Sequence, residues 1–120
     1  MLRNLFGALT GSATQPATIT APELQQRLNA GERLYLLDVR SSEEYAHDGH
    51  ITGSHLLPLP MLSLRLNEIP KDAPIICVCR SGNRSGVAAE QLMRQGFANV
   101  INLTGGMMSW ARAGLPMQHG

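Results

Sequence analysis

The chain has 120 residues with 10 basic and 9 acidic side chains, which gives a formal net charge of +1 at pH 7. One compact domain is expected at this length, and the balanced charge argues against nucleic-acid or membrane-surface partners. Apolar residues make up 43% and charged residues 16% of the chain, which is typical of a globular protein rather than a disordered one. Every apolar run is far shorter than the roughly 18 residues that span a bilayer.

The N-terminal segment is predicted to be a flexible tail. Its apolar run, Leu5 to Leu9, is shorter than the hydrophobic region of a signal peptide, about 7 residues at least. We therefore expect a tail over residues 1–16 and a domain over residues 17–117. Cys77 and Cys79 are separated by one residue, and an extended strand holds such a pair poorly for a disulfide. Reduced thiols predict a cytoplasmic location.

Helix and strand patterns alternate along the rest of the chain. Two capping-box pairs, Thr20 with Glu23 and Ser41 with Glu44, predict helices that end near residues 31 and 49. Apolar runs predict strands over residues 34–39, 55–59, 75–79 and 99–103. A short helical turn is predicted over 61–66, and helices over 85–95 and 107–113. This order predicts an α/β domain with a mainly parallel central sheet and helices on both faces.

Ligands of such sheets bind at the carboxyl ends of the strands, and one loop at such an end carries reactive residues. It is the segment Cys79-Arg80-Ser81-Gly82-Asn83-Arg84-Ser85, between a predicted strand and a predicted helix. Backbone N–H groups of a short glycine-containing loop and of the following helix start can face inward and bind an anion. Together with the two arginines, these donors favour the thiolate of Cys79 and predict a pKa below the free value of about 8.5.

The two cysteines receive different interpretations. A lone cysteine is often only a small buried apolar residue, but the strand, glycine loop, arginines and helix around Cys79 favour a nucleophile. Cys77 lies within the strand on the same face as Ile75, which favours a buried structural role. The alternative for Cys77 is a resolving thiol for an oxidised or sulfur-loaded Cys79.

From about Thr18 to Pro116 the sequence resembles the rhodanese-like family, single-domain sulfurtransferases of α/β fold. Four ordered motifs carry the resemblance: Asp38-Val39-Arg40, Glu44-Tyr45 followed by Gly49-His50-Ile51-x-Gly53, the segment from Cys79 to Ser85, and Gly105-Gly106-x-x-x-Trp110-x-x-x-Gly114-x-Pro116. The resemblance implies that Cys79 takes a sulfane sulfur from a donor such as thiosulfate and passes it on.

Loop length separates sulfur transfer from phosphate chemistry. Phosphatases with a cysteine in a similar cradle use Cys-x5-Arg, whereas Cys79 to Arg84 is Cys-x4-Arg and Cys77 to Arg84 is Cys-x6-Arg. The shorter loop resembles the six-residue loop of sulfurtransferases. This spacing disfavours phosphatase and arsenate reductase activity.

The predicted reaction is a double displacement through a Cys79 persulfide, with a small anionic sulfur donor and a thiol or cyanide as acceptor. Backbone N–H groups of residues 80–85 would stabilise the terminal sulfur, and Arg80 or Arg84 would hold the donor's sulfonate. Two alternatives remain. One is a sulfur-relay component with a protein donor, and the other is a non-catalytic binding module of the same family.

Supporting residues are predicted at the end of the first central strand. Asp38 and Arg40 are expected to have a structural, loop-ordering role, with an ion pair from Asp38 to a loop arginine as one means. The alternative is that Arg40 and Glu44, four residues apart, simply form a weak surface pair. Trp110 is expected in the core.

Other residues are less distinctive. Met107 and Met108 are either at the pocket or simply gap-fillers. The spacing of His47, His50 and His55 does not repeat a metal-ligand pattern, so neither a metal nor another cofactor is predicted.

Overall fold

Five parallel strands form the central sheet of the structure, a computed structural model that describes residues 15–120. The strands are β1 (Ala17–Ile19), β2 (Tyr35–Asp38), β3 (His55–Leu56), β4 (Ile75–Val78) and β5 (Val100–Leu103). Their order across the sheet is β1-β5-β4-β2-β3. Three α-helices lie between strands: α1 (Ala21–Asn29), α2 (Ser42–His47) and α3 (Asn83–Arg94). A fourth, α4 (Gly106–Arg112), follows β5. Two 3-10 helices, Leu59–Leu64 and Leu66–Glu68, lie between β3 and β4.

Apolar side chains pack on both faces of the sheet. Helix α3 contributes Ala88, Ala89 and Leu92 to one core, together with Cys77 and Cys79 from the β4 segment. Helices α1 and α4 cover the other face, where Leu24, Met107 and the fully buried Trp110 pack. The fold class predicted from the alternating patterns is therefore confirmed, and all five strands run parallel.

Both predicted capping boxes are present. The N–H of Glu23 donates to Thr20 Oγ1 at 3.3 Å, and the Glu23 carboxylate accepts from the Thr20 N–H at 2.9 Å. Ser41 and Glu44 exchange the same pair of bonds at 3.2 and 3.0 Å. These reciprocal bonds satisfy N–H groups that a helix start leaves without partners.

Three elements differ from the sequence prediction. Strand β1 was not predicted, because its three residues follow a polar, proline-containing lead and pair only with β5. Strand β3 stops at Leu56, since Leu59 already begins a 3-10 helix after Pro58. Helix α3 begins at Asn83 rather than Ser85, so the loop that follows β4 is shorter than expected. The tail was predicted over residues 1–16, and residues 1–14 of it lie outside the described part of the chain.

The start of α4 packs directly on the loop that follows β4. The N–H groups of Met107 and Met108 donate to the carbonyl oxygens of Cys79 and Arg80 at 2.8 and 3.0 Å. A Cβ on Gly106 would collide with Cys79 O and would lie 2.7 Å from the backbone of Arg80. Gly106 also has a φ of +55°. Only glycine permits this close approach in that conformation.

No helix within residues 15–120 is long and apolar enough to cross a membrane.

The contact between α4 and the loop predicts a large effect of Gly106→Ala. We expect Gly114→Ala, at a φ of +73° with open space around it, to lower the free energy of unfolding by about 1 kcal/mol from backbone strain alone. Gly106→Ala adds a collision with backbone and should lower it by about 3 kcal/mol or more. Urea unfolding of both variants measures this difference, and equal losses would show that the close approach is not required.

Candidate functional site

The site lies where β2, β4 and β5 end at the same edge of the sheet. Cys79 directly follows β4, and the chain then turns at Gly82, whose φ is +104°. From Asn83 it continues as α3. The left-handed turn at Gly82 makes the loop curl back, so that its N–H groups face the Cys79 sulfur instead of solvent.

The Cys79 sulfur has several hydrogen-bond donors around it. The Gly82 N–H donates to Sγ at 3.1 Å, and Ser85 Oγ lies 3.3 Å from Sγ. Burial alone would raise the pKa of Cys79, but Ser85 and the N–H groups of Gly82 and Ser81 favour the charged form and bring the pKa below its ordinary value. The residue is only 1% exposed. A reagent must therefore reach the sulfur with a slender atom rather than a bulky group.

Cys77 lies two residues earlier, on the same face of the sheet as Cys79, but its thiol has a raised pKa. It is fully buried in β4, and burial together with the nearby Cys79 raises its pKa to about 12. A thiol in this state stays protonated and unreactive near neutral pH. Both cysteines are free thiols.

Arg84 is bound by a carboxylate from 40 residues earlier. Its Nη1 and Nη2 donate to Glu44 Oε1 and Oε2, both at 2.8 Å. These bonds, against the opposing effect of burial, lower the pKa of Glu44 to about 2. Because Glu44 also caps α2, this pair ties the start of α2 to the first turn of α3. The arrangement was not predicted: Glu44 pairs with Arg84 and not with Arg40.

Asp38 and Arg40 form a buried ion pair with each other. Arg40 Nε and Nη2 donate to the two Asp38 carboxylate oxygens at 2.9 and 2.7 Å, and Nη2 also donates to Gly49 O at 2.9 Å. Both side chains are at most 1% exposed. The expected contact from Asp38 to a loop arginine is therefore wrong. The pair instead holds the end of β2 against the turn at Gly49.

The remaining residues of the predicted loop are exposed or partly exposed. Ser81 and Asn83 are exposed, and the N–H of Ser81 is one of the groups that lower the pKa of Cys79. Arg80 is also exposed and forms no ion pair with any of residues 15–120. It is thus the loop arginine whose charge remains available to a ligand.

A cleft of about 280 Å³ opens beside Arg80. Its lining is mostly thioether and basic side chains, with one carboxylate: Arg40, Asp48, Arg80, Met107, Met108, Ala111 and Met117. Met108 is 40% exposed, whereas Met107 is buried. Larger cavities, of about 410, 350 and 300 Å³, lie beside β1, at the start of β2 and along α2, and Cys79 lines none of them.

The histidines have structural contacts. His50 stacks on Tyr45 with ring centroids 3.7 Å apart, and its Nδ1 lies 2.8 Å from Tyr45 O. His55 stacks on Tyr35. Within residues 15–120 there is no group of three or more potential ligands that could hold a metal ion.

A residue that the sequence analysis missed also reaches the loop. Asn102 of β5 donates from Nδ2 to Gly82 O at 3.0 Å, and its Oδ1 lies 2.6 Å from Ser85 Oγ. A polar residue within an otherwise apolar strand, VINL, is the sequence signal that could have identified it.

Comparison with known proteins agrees with this geometry. The profile of the rhodanese-like domain family matches residues 20–113. A sulfurtransferase of Allochromatium vinosum is 43% identical over 99 residues, which cover 82% of this chain and 92% of that protein.

Two further similar proteins are longer than this chain. A putative sulfur carrier protein of Bacillus subtilis, YrkF, is 37% identical over 99 residues, covering 82% of this chain and 53% of that protein. The crystal structure of thiosulfate sulfurtransferase from Pseudomonas aeruginosa superimposes with a TM-score of 0.80 at 29% identity, covering 96% of this chain and 22% of that one.

The contrast between the two thiols predicts selective alkylation. Native protein treated with iodoacetamide should gain one label, on Cys79, with a rate that falls as pH drops through a midpoint below the free-thiol value of about 8.5. Unfolded protein should gain two. Intact mass and peptide mapping measure both outcomes, and a native label on Cys77 would contradict the assignment of the reactive thiol.

The Glu44 and Arg84 pair predicts a pH-dependent loss of stability. The pair is partly exposed, at 23% and 41%, so solvent screening limits its worth to about 1 kcal/mol. Glu44→Gln should therefore be less stable at pH 7. Because the folded-state pKa of Glu44 is lowered from 4.5 to about 2, the difference from the native protein should shrink as pH falls through that interval.

Urea unfolding at pH 7 and pH 3 measures this difference. Glu68→Gln is the matched control, since Glu68 forms an exposed pair with Arg65 away from the loop, and it should change the free energy of unfolding little at either pH. A Glu44→Gln deficit that persists undiminished at low pH would contradict the ion-pair explanation.

Proposed function

Because the chain belongs to the rhodanese-like domain family, we propose that it moves a sulfane sulfur from thiosulfate or another persulfide donor to a thiol or cyanide, through a persulfide on Cys79. The observation that carries the proposal is the ring of donors around the Cys79 sulfur. It favours a thiolate, and a thiolate is the nucleophilic form of cysteine. Relatives named sulfurtransferase and sulfur carrier support the same chemistry.

In the first half-reaction the Cys79 thiolate attacks the outer sulfur of thiosulfate. A new bond forms between Sγ and that sulfur, the bond between the two donor sulfurs breaks, and sulfite leaves with its electron pair. The thiolate form attacks directly, so this step needs no general base. The slender terminal sulfur of thiosulfate suits the 1% exposure of Cys79.

In the second half-reaction the acceptor attacks the outer sulfur of the persulfide. Cyanide forms thiocyanate and regenerates the Cys79 thiolate, and a thiolate acceptor forms a new persulfide in the same way. Between the two steps the terminal sulfur is negatively charged. The N–H groups of the loop, joined by the positive end of the α3 dipole, stabilise that charge.

The two loop arginines have different roles in this proposal. Arg80 is exposed and unpaired among the described residues, and it borders the cleft of about 280 Å³, so it binds the anionic part of the donor. Arg84 is held by both oxygens of Glu44 and orders the loop. Asp38 and Arg40 have a supporting role, because they hold the end of β2 against the turn at Gly49. Ser81, Gly82, Asn83 and Ser85 contribute the cradle itself.

A second candidate is a sulfur-relay protein whose donor is another protein's persulfide. The similarity to a putative sulfur carrier protein favours it, and the methionine-lined cleft beside Arg80 would receive the donor's cysteine-bearing segment. Poor thiosulfate turnover together with fast single-turnover sulfur uptake from a persulfidated protein would favour the relay. Either role requires a reduced Cys79, and we therefore propose that the protein works in a reducing compartment such as the cytoplasm.

Turnover of thiosulfate and cyanide tests the proposal. Cys79→Ala should lose all activity because the sulfur carrier is gone. Cys77→Ala should keep most activity, since Cys77 is buried and protonated. Thiocyanate formation measures both. A loss with Cys77→Ala as deep as with Cys79→Ala, in a folded protein, would assign Cys77 a chemical role.

The same assay tests whether Arg80 binds the donor. Arg80→Ala should raise KM for thiosulfate about tenfold, the worth of one charge-assisted bond, with a smaller change in kcat. Arg94→Ala, at the exposed far end of α3, is the matched control and should change neither constant. An unchanged KM with Arg80→Ala would show that the donor anion is held elsewhere.

A further inference from the structure

The Ser85 hydroxyl faces two acceptors but has one hydrogen. Ser85 Oγ lies 3.3 Å from Cys79 Sγ and 2.6 Å from Asn102 Oδ1. A serine hydroxyl donates a single hydrogen bond. It therefore cannot donate to the sulfur and to the amide oxygen at the same time.

The orientation of the Asn102 amide decides where that hydrogen lies. Asn102 Nδ2 is 3.0 Å from Gly82 O, and a carbonyl oxygen can only accept, so the amide nitrogen must face it. The amide oxygen must then face Ser85. Two oxygens at 2.6 Å need a hydrogen between them, and Ser85 is the partner that can supply it. In this arrangement the hydroxyl hydrogen points to Asn102, away from the sulfur.

These contacts close a ring of four residues. The Gly82 N–H donates to Cys79 Sγ at 3.1 Å, and a protonated thiol can donate to Ser85 Oγ across their 3.3 Å contact. Ser85 donates to Asn102, and Asn102 donates to the carbonyl of Gly82. Every hydrogen in the ring then has one acceptor. The hydrogen bonds of the ring are therefore complete when Cys79 is a neutral thiol.

The fold makes room for Asn102 at this place. Asn102 pairs with Cys77 in the sheet register, which sets its side chain on the α3 face of the sheet. Gly86 in the first turn of α3 has no side chain, and a Cβ there would lie 3.3 Å from Asn102 Nδ2. A larger residue at position 86 would crowd the amide.

We propose that Asn102 is a positioning residue of the Cys79 site, which holds the Gly82 carbonyl and keeps the Ser85 hydroxyl hydrogen until the sulfur becomes negatively charged. When the thiol loses its proton to solvent, the hydroxyl turns to the sulfur and forms a charge-assisted bond, which is stronger than the bond to a neutral amide. Asn102 Oδ1 then loses its partner. Ionisation of Cys79 thus requires the hydrogen bond between Ser85 and Asn102 to break, and the free energy of that bond raises the pKa of Cys79.

This inference rests on the proposed function only for the importance of the thiolate, and its test needs no sulfur transfer. The test is a double-mutant cycle on the midpoint of Cys79 alkylation by iodoacetamide against pH, followed by intact mass. Asn102→Ala is made in the native protein and in Ser85→Ala. Loosening of Gly82 affects both backgrounds alike, so the difference between the two shifts reports the competition for the hydroxyl hydrogen.

We expect the shift that Asn102→Ala causes in the Cys79 midpoint to differ by about one pKa unit between the two backgrounds. Asn102→Ala should lower the Cys79 midpoint further, or raise it less, when Ser85 is present than when it is alanine. A coupling near zero, or one of opposite sign, overturns the proposal whether or not the protein turns over thiosulfate.

Two further variants keep the test interpretable. Asn102→Leu fills a similar volume without hydrogen-bonding groups and should give the same coupling if Asn102→Ala unfolds the protein. Asn99→Ala, at an exposed asparagine just before β5, is the matched control and should leave the midpoint unchanged. If Asn99→Ala shifted the Cys79 midpoint as much as Asn102→Ala, the shift would come from a general loosening of the strand. That result would overturn the proposed role of Asn102.

Discussion

The structure depends most on placing hydrogen-bond donors around the sulfur of Cys79, a residue that is only 1% exposed. A buried thiolate is unfavourable unless donors surround it, and the donors here come from a loop that must turn within three residues of the cysteine. Gly82 makes that turn with a φ of +104°. Its N–H then lies 3.1 Å from Cys79 Sγ, and the first turn of α3 follows immediately.

The elements around the loop hold it in that shape. The N–H groups at the start of α4 bind the carbonyls of Cys79 and Arg80, on the side where Gly106 allows contact with backbone. Glu44 binds Arg84 in the first turn of α3, and the buried pair of Asp38 and Arg40 holds the neighbouring strand end. These contacts order the loop and leave Arg80 exposed, where we propose that the sulfur donor binds.

The sequence predicted the parts of this architecture that local chemistry determines. Both capping boxes formed because a hydroxyl and a carboxylate three residues apart satisfy each other without outside help. The strands at the centre of the sheet were recognisable from their apolar runs. Strand β1 was not, since three residues at an edge of the sheet obtain their hydrogen bonds from β5 and have no pattern of their own.

The partners of charged and polar groups were harder to predict. Arg40 and Glu44 have ideal spacing for each other, yet each binds another residue, because the fold brings Arg84 to Glu44 from 40 positions away and buries Arg40 against Asp38. Asn102 was overlooked for the same reason. Asn102 contacts Gly82 and Ser85 only because the folded sheet places β5 beside β4 and next to the first turn of α3. The sequence of β5 itself does not indicate those neighbours.

The central claim is that Cys79 carries the sulfur as a covalent persulfide, and a half-reaction tests it most directly. Native protein and Cys79→Ala are incubated with thiosulfate in the absence of any acceptor, and intact mass is read with sulfite release. The account predicts the added mass of one sulfur atom on the native protein, one equivalent of sulfite, and removal of that mass by cyanide. The Cys79→Ala variant should show none of these, and a sulfur adduct that survives in it would contradict the account.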